Sequence, residues 1–251
     1  TVGAFERLFY AQRDVSNFAS ISITTAGEIL FYLEENGQNH SVLSTSVLNP
    51  LEWAHIAVTW NSGSLESRIF INGSEVQYAG GLNVSSTGTD SKMAIGSKTD
   101  GSQSFTGEID ELAIWSIAKS ECEVSFEMND KKEGTEANLV AYFNFDYGIA
   151  DGSNPGVDDL QDESLNGNDG TLFNFALSGS TSNWTGSVFD INRWWGEVST
   201  VFIGQLGLVS TINADQFQWI YCDDLTPVSG AIGVTFDPPT QDPNFTGVGD
   251  F

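Results

Sequence analysis

The chain has 251 residues, with 9 Lys and Arg against 34 Asp and Glu, for a formal net charge of −25 at pH 7. Self-repulsion at that charge keeps a molecule soluble and disfavours nucleic acid as a partner, while cations are the more natural ligands. No run of about 18 apolar residues is present to enter a membrane, and the length allows one large β-domain or a domain with a smaller companion.

The 26 Gly, 17 Phe and 7 Trp, set among many Ser, Thr, Asn and Asp, divide the chain into short alternating runs between turn residues. That pattern predicts an all-β, two-sheet antiparallel sandwich with little helix. Thr1 opens directly into patterned sequence, which reads as a mature or excised piece.

In chain order, Glu28 to Leu33 is an apolar strand stopped by the turn residues Glu34 to Gly37. Trp53 to Trp60 alternates, and Ile56, Val58 and Trp60 lie on its better core face. Ser67 to Ile71 meets Asn72-Gly73 and returns through Ser74 to Val76, a strong hairpin signal. Met93 to Gly96 is a further strand, followed by a loop from Ser97 to Ser104. Phe105 to Trp115 reads as a longer strand whose apolar phase changes, so a bulge is expected near Asp110-Glu111.

One helix is expected within Ser116 to Met128, starting near Ser120 with Glu123 three residues on as a capping box. Leu139 to Phe145 and Thr171 to Phe175 read as strands flanking a loop at Asp151 to Gly170 that is dense in Asp, Asn and Gly. Ser178 to Ser182 reads as a spacer. Past Arg193 the chain has no Lys, Arg or His, which places a boundary near residues 179 to 187 and divides the chain into 1–185 and 186–251. The second segment offers strands at Thr200 to Val209, Phe217 to Cys222 and Ala231 to Phe236. Cys122 and Cys222 are the only cysteines, and a bridge between them or two buried thiols are both open readings.

The ordered set Trp53-x-His55-Ile56-Ala57-Val58-Thr59-Trp60, Ile69-Phe70-Ile71-Asn72-Gly73, Ala94-Ile95-Gly96-Ser97 and Phe105-x-Gly107-x-Ile109-Asp110-Glu111-Leu112-x-Ile114-Trp115 resembles the laminin-G-like, pentraxin-like jelly rolls of the concanavalin A-like superfamily. Leu139 to Asp146 and Asn166 to Leu172 look like the closing segment of such domains in secreted and surface proteins of Bacteroidetes-type bacteria. The resemblance covers residues 1 to 185 and implies two antiparallel sheets packed face to face. Domains of this kind usually open with strands not found after Thr1, so the first strands are expected upstream, in a larger multidomain chain.

Family 16 glycosidases share the superfamily and carry two catalytic carboxylates on one strand, in patterns such as E-I-D-x-E. Here Glu108-Ile109-Asp110 is followed by Glu111, but Leu112 and Ala113 occupy the positions for the second catalytic Glu. Retaining chemistry needs two carboxyls about 5 Å apart, so no catalytic residue is assigned and Asp110 and Glu111 are expected to accept loop hydrogen bonds.

Calcium is the cofactor considered, since it takes hard oxygen ligands from Asp, Asn and backbone carbonyls. The candidate ligands are Asp100, in the loop where pentraxin-like relatives bind the ion, and Asp158, Asp159, Asp162, Asn166, Asn168 and Asp169. The run from Asp162 imitates the first half of an EF-hand but has Phe173 at its twelfth position, which excludes that motif. Trp194 and Trp219 are the aromatics considered for stacking on sugar rings. The resulting expectation is a non-catalytic extracellular adhesion or carbohydrate-binding module at the cell surface, with a glycan or cell-surface partner. A spacer or assembly module without glycan binding is the alternative, and a glycosidase the third reading.

Overall fold

A computed structural model of the protein describes residues 5–14, 16–80, 92–178 and 183–186 in full, and residues 200–203, 206–210, 217–221 and 227–232 by their backbone. The first sheet contains β1 (Glu6–Asp14), β2 (Asn17–Ile23), β3 (Glu28–Glu35), β4 (Gln38–Val47) and, after an interval, β8 (Lys92–Ile95). Its strand order is β4-β3-β2-β1-β8, and its pairings are antiparallel. The second sheet is the meander of β5 (Ile56–Asn61), β6 (Glu66–Ile71) and β7 (Ser74–Ala79).

Alternation dictates how the two sheets meet. On β3, Ile29, Phe31 and Leu33 are buried and face one way, with Val42 of β4 beside them. Ile56, Val58, Trp60 and Ile69 from the second sheet pack against that cluster, so the two sheets enclose one apolar layer. A fully buried member such as Ile29 or Ile69 contributes about 1.5–3 kcal/mol, and the partly buried ones less. The core face read from Trp53 to Trp60 is the one that faces inward. The hairpin turn is also where the sequence puts it: Asn72 and Gly73 have φ of 52° and 80°, the left-handed pair that a two-residue turn needs.

Three strands at Glu6–Asp14, Asn17–Ile23 and Gln38–Val47 add to those read from the sequence. The expected strand from Phe105 to Trp115 shrinks to β9, Leu112–Trp115, which pairs with β10, Leu139–Phe143. The change of phase is made by Glu111, whose φ of 53° turns the chain just before β9 begins. A second apolar cluster forms here around Ala141, Phe143, Leu160 and Trp184, with Leu112 and Ile114 packed on it. Of the expected strand from Thr171 to Phe175, only β12 (Gly170–Thr171) exists, paired with β11 (Asp159–Leu160) inside the turn-rich loop.

The helix α1 spans Glu121–Glu127, with Ser120 as its N-cap and the reciprocal bonds to Glu123 of a capping box. The chain divides into two compact units, the first made of residues 1–71, 75–118 and 131–188, and the second of 72–74, 119–130 and 189–251. In the second unit β13 (Thr200–Ile203), β14 (Leu206–Ser210), β15 (Phe217–Tyr221) and β16 (Pro227–Ile232) form an antiparallel meander. The strand expected over Thr200 to Val209 is therefore two strands, and the last begins at Pro227 rather than Ala231. Pro is tolerated at the first position of a strand, where its missing N–H costs no ladder bond. The expected spacer lies largely outside the described residues, at 179–182.

Candidate functional site

The acidic run before β9 is dispersed among different neighbours. Glu108 is exposed and accepts a hydrogen bond from the Thr185 hydroxyl at 2.8 Å. Glu111 instead accepts the phenol O–H of Tyr142 on β10. Asp110 accepts the Glu111 backbone N–H at 3.0 Å. Burial, and then the charge of Glu111, push the Asp110 carboxyl up to about 6. Burial also raises Glu111, against the opposing effects of the Tyr142 phenol and Lys131. Lys131 is itself tied to Asp146 at 2.7 Å. Leu112, where a second catalytic Glu would stand, packs on the apolar cluster around Phe143.

The loop proposed to hold calcium is organised by Asp162. Its Oδ1 accepts the backbone N–H groups of Tyr142 and Ser164, both at 2.9 Å. Its Oδ2 accepts the Ser164 hydroxyl at 2.9 Å and the Asn168 N–H at 2.7 Å. Burial alone would raise this carboxyl, but those donors outweigh it and hold the group below the usual carboxylate range. Asn166 and Asn168 turn their amide Nδ2 groups to carbonyls of β10, donating to Leu139 and Val140. Asp169 accepts the Asp162 N–H at 2.9 Å, while Asp158 and Asp159 are exposed.

Among the described residues no three His, Cys, Asp or Glu gather around a point that could hold a cation. The Asp162 carboxylate is thus spent on four protein donors. Asp100 lies in an exposed turn and takes the Ser102 N–H at 2.9 Å and the Ser102 hydroxyl at 2.6 Å. Trp194 lies outside the described residues, and Trp219 is described only as part of the β15 backbone. Cys122 is buried and disulfide-bonded; Cys222 lies outside the described residues.

The outer face of the five-stranded sheet carries a constellation not read from the sequence. Cross-strand pairing places Tyr10 beside Ser20 and Ser20 beside Tyr32, while Phe18 pairs with Gln12 on one side and Glu34 on the other. Three rings therefore run in file across β1, β2 and β3. Tyr10 and Phe18 have centroids 5.3 Å apart, and Phe18 and Tyr32 stack at 5.5 Å. Phe18 and Tyr32 keep part of their surface exposed, whereas Tyr10 is buried.

Polar groups frame the rings. Arg7 donates from Nη1 to the hydroxyls of Ser20 and Ser22, both at 2.6 Å, and from Nε to Gln103 at 3.1 Å. The loop after β8 lies along the same face, with Thr99 bonded to Gln12 at 2.8 Å and the Lys98 ammonium 5.7 Å from the Tyr10 ring centre. At the other end, the Tyr32 hydroxyl donates to Glu34 at 3.0 Å. The signal was present as alternation in Phe18-Ala19-Ser20-Ile21-Ser22, but it needs the register of three strands before it becomes a surface.

Residues 1–125 match the laminin G family described as the concanavalin A-like lectin/glucanases superfamily. This segment belongs to the concanavalin A-like superfamily. No curated protein matches the chain. Among solved structures, it is similar to a candidate carbohydrate-binding protein of Bacteroides ovatus, at 20% identity and TM-score 0.47, over 66% of this chain and 50% of that one.

It is also similar to an S-layer domain-containing protein of Clostridium thermocellum, at 26% identity and TM-score 0.29, over 51% of this chain and 64% of that one. A heptameric SAP-like pentraxin of Limulus polyphemus is similar at 17% identity and TM-score 0.38, with the same two coverages, 51% and 64%. The chain thus spans half to less than two thirds of the length of these proteins. No helix among the described residues is long and apolar enough to cross a membrane.

Proposed function

We propose that the concanavalin A-like domain is a non-catalytic carbohydrate-binding module of a larger cell-surface protein, acting outside the cell in adhesion. The observation that carries this reading is the file of Tyr10, Phe18 and Tyr32 on the outer sheet face, edged by Arg7, Gln12 and Glu34. Sugar rings present apolar C–H faces and a rim of hydroxyls. Partly exposed aromatic rings offer the first a flat apolar partner, and carboxylate, amide and guanidinium groups offer the second donors and acceptors.

Two further facts support the reading. Glu108 and Glu111 are engaged by different partners, Thr185 and Tyr142, and Leu112 fills the place of a second catalytic acid. The disulfide at Cys122 fits an oxidising, extracellular setting.

The test is a glycan array read with the wild-type chain and with Phe18→Ala and Tyr32→Ala. Binding that falls about tenfold or more in both variants supports the site. Binding unchanged in both overturns it, and the absence of binding to any glycan leaves the spacer reading in its place.

A further inference from the structure

We propose that the ligand of this outer face carries an anionic group, a carboxylate or a sulfate, seated between Arg7 and Lys98; the proposal rests on the carbohydrate-binding reading of the same site. Acids outnumber bases 34 to 9 in this chain, yet two of those bases converge on a single ring. The Arg7 guanidinium lies 5.9 Å and the Lys98 ammonium 5.7 Å from the centre of Tyr10.

Arg7 is only 8% exposed. Its side-chain hydrogen bonds to described residues go to the neutral oxygens of Ser20, Ser22 and Gln103, from Nε and Nη1, and none uses Nη2. Among the described residues neither Arg7 nor Lys98 forms an ion pair.

A buried cation normally has an anion beside it, because its lost hydration is otherwise uncompensated. Burial accordingly lowers the Arg7 pKa, although a guanidinium stays charged. Two acids lie nearby, Asp100, which takes donors from Ser102 and feels the Lys98 charge, and Glu34, which takes the Tyr32 hydroxyl; among the described residues neither forms an ion pair with Arg7 or Lys98. The unused Nη2 edge of a planar guanidinium suits a carboxylate or sulfate oxygen, with Lys98 as a point charge. The net charge of the chain does not forbid this, since charges farther away than about 8 Å are screened at physiological ionic strength.

The experiment is calorimetric titration of the whole chain at 0.15 M salt, roughly one Debye length of 8 Å, with four oligosaccharides. These are a galacturonic acid oligosaccharide, its methyl ester, a sulfated galactan oligosaccharide and its desulfated form. Binding of the acid that weakens tenfold or more on esterification, and severalfold in Lys98→Gln, supports a carboxylate ligand. The same pattern on desulfation supports a sulfate.

Lys98→Gln is preferred to loss of Arg7 because Lys98 lies in a loop and not in a strand. Arg7→Lys, checked by its melting curve, is expected to weaken the charged ligand severalfold more than its neutral form. Equal binding of charged and neutral forms overturns this inference and leaves the carbohydrate reading standing. Binding of none of the four overturns this inference, and the glycan array then decides the carbohydrate reading separately.

Discussion

The Asp162 carboxylate accepts the backbone N–H of Tyr142 at 2.9 Å and so ties the turn-rich loop to β10. The same side chain holds Ser164 and Asn168, which makes one ionised group the organiser of the loop from 162 to 168. Replacing it with Ala strands three backbone N–H groups and one hydroxyl at once. With a penalty of about 1–3 kcal/mol for each unsatisfied buried donor, and some recovered by water, Asp162→Ala is expected to destabilise the domain by about 3 kcal/mol or more. Chemical denaturation measures this directly. Because the carboxylate is already saturated by protein donors, a chelator is expected to leave the melting temperature unchanged. A chelator-induced fall would support the calcium reading of the loop.

Burial, reinforced by Glu111, pushes Asp110 up to about 6, above its ordinary value of 3.8. A raised folded-state pKa means that the fold prefers the protonated acid. The associated stability is fully present below about pH 4 and is lost as pH rises through about 6. Asp110→Asn is therefore expected to raise stability at pH 7 by about 1 kcal/mol, a figure discounted for partial exposure, and to change little at pH 4. Asn keeps an oxygen that can accept the Glu111 N–H. Melting curves of the two proteins across that range give the difference, and a gap that does not narrow on acidification overturns the assignment.

Local chemistry was legible in the sequence and long-range pairing was not. Asn72-Gly73 announces its own turn, Ser120 and Glu123 their own cap, and the alternation of Ile56, Val58 and Trp60 their own core face, because each signal lies within a few residues. The sequence pattern predicts a bulge near Asp110-Glu111, but the left-handed backbone of Glu111 shortens the strand instead of bulging it.

The donors to Asp162 come partly from Tyr142, twenty positions away, so a run of acids that reads as ligands becomes a hydrogen-bond hub only once β10 lies beside it. The outer-face rings are harder still to foresee. Tyr10, Phe18 and Tyr32 belong to three strands, and a slip of one residue in any pairing would send a ring into the core.

The cap of α1 is a compact test of local stability. Ser120 accepts the Glu123 N–H at 3.3 Å, and Glu123 returns by accepting the Ser120 N–H at 2.7 Å. Ser120→Ala is expected to cost about 1 kcal/mol, and Ser120→Asp to restore most of it through the same acceptor geometry. Hydrogen exchange of the first-turn amides would report the loss. Unchanged protection in the Ala variant would mean that the cap contributes nothing there.

Tyr32 separates the ring from its hydroxyl as determinants of binding. Its ring stacks on Phe18 at 5.5 Å, and its hydroxyl donates to Glu34 at 3.0 Å. If a sugar lies against the ring, Tyr32→Phe retains the apolar face and releases the Glu34 carboxylate, whereas Tyr32→Ala removes the face itself. Binding is expected to change less than about threefold in the first and to fall about tenfold or more in the second, equivalent to roughly 1.4 kcal/mol. Phe18→Ala should match the Ala variant, and the double variant should lose less than the sum of the two, because residues in contact do not act independently. Strict additivity would mean that the two rings do not form a single platform, and a loss in Tyr32→Phe as large as in Tyr32→Ala would shift recognition from the ring to its hydroxyl and Glu34.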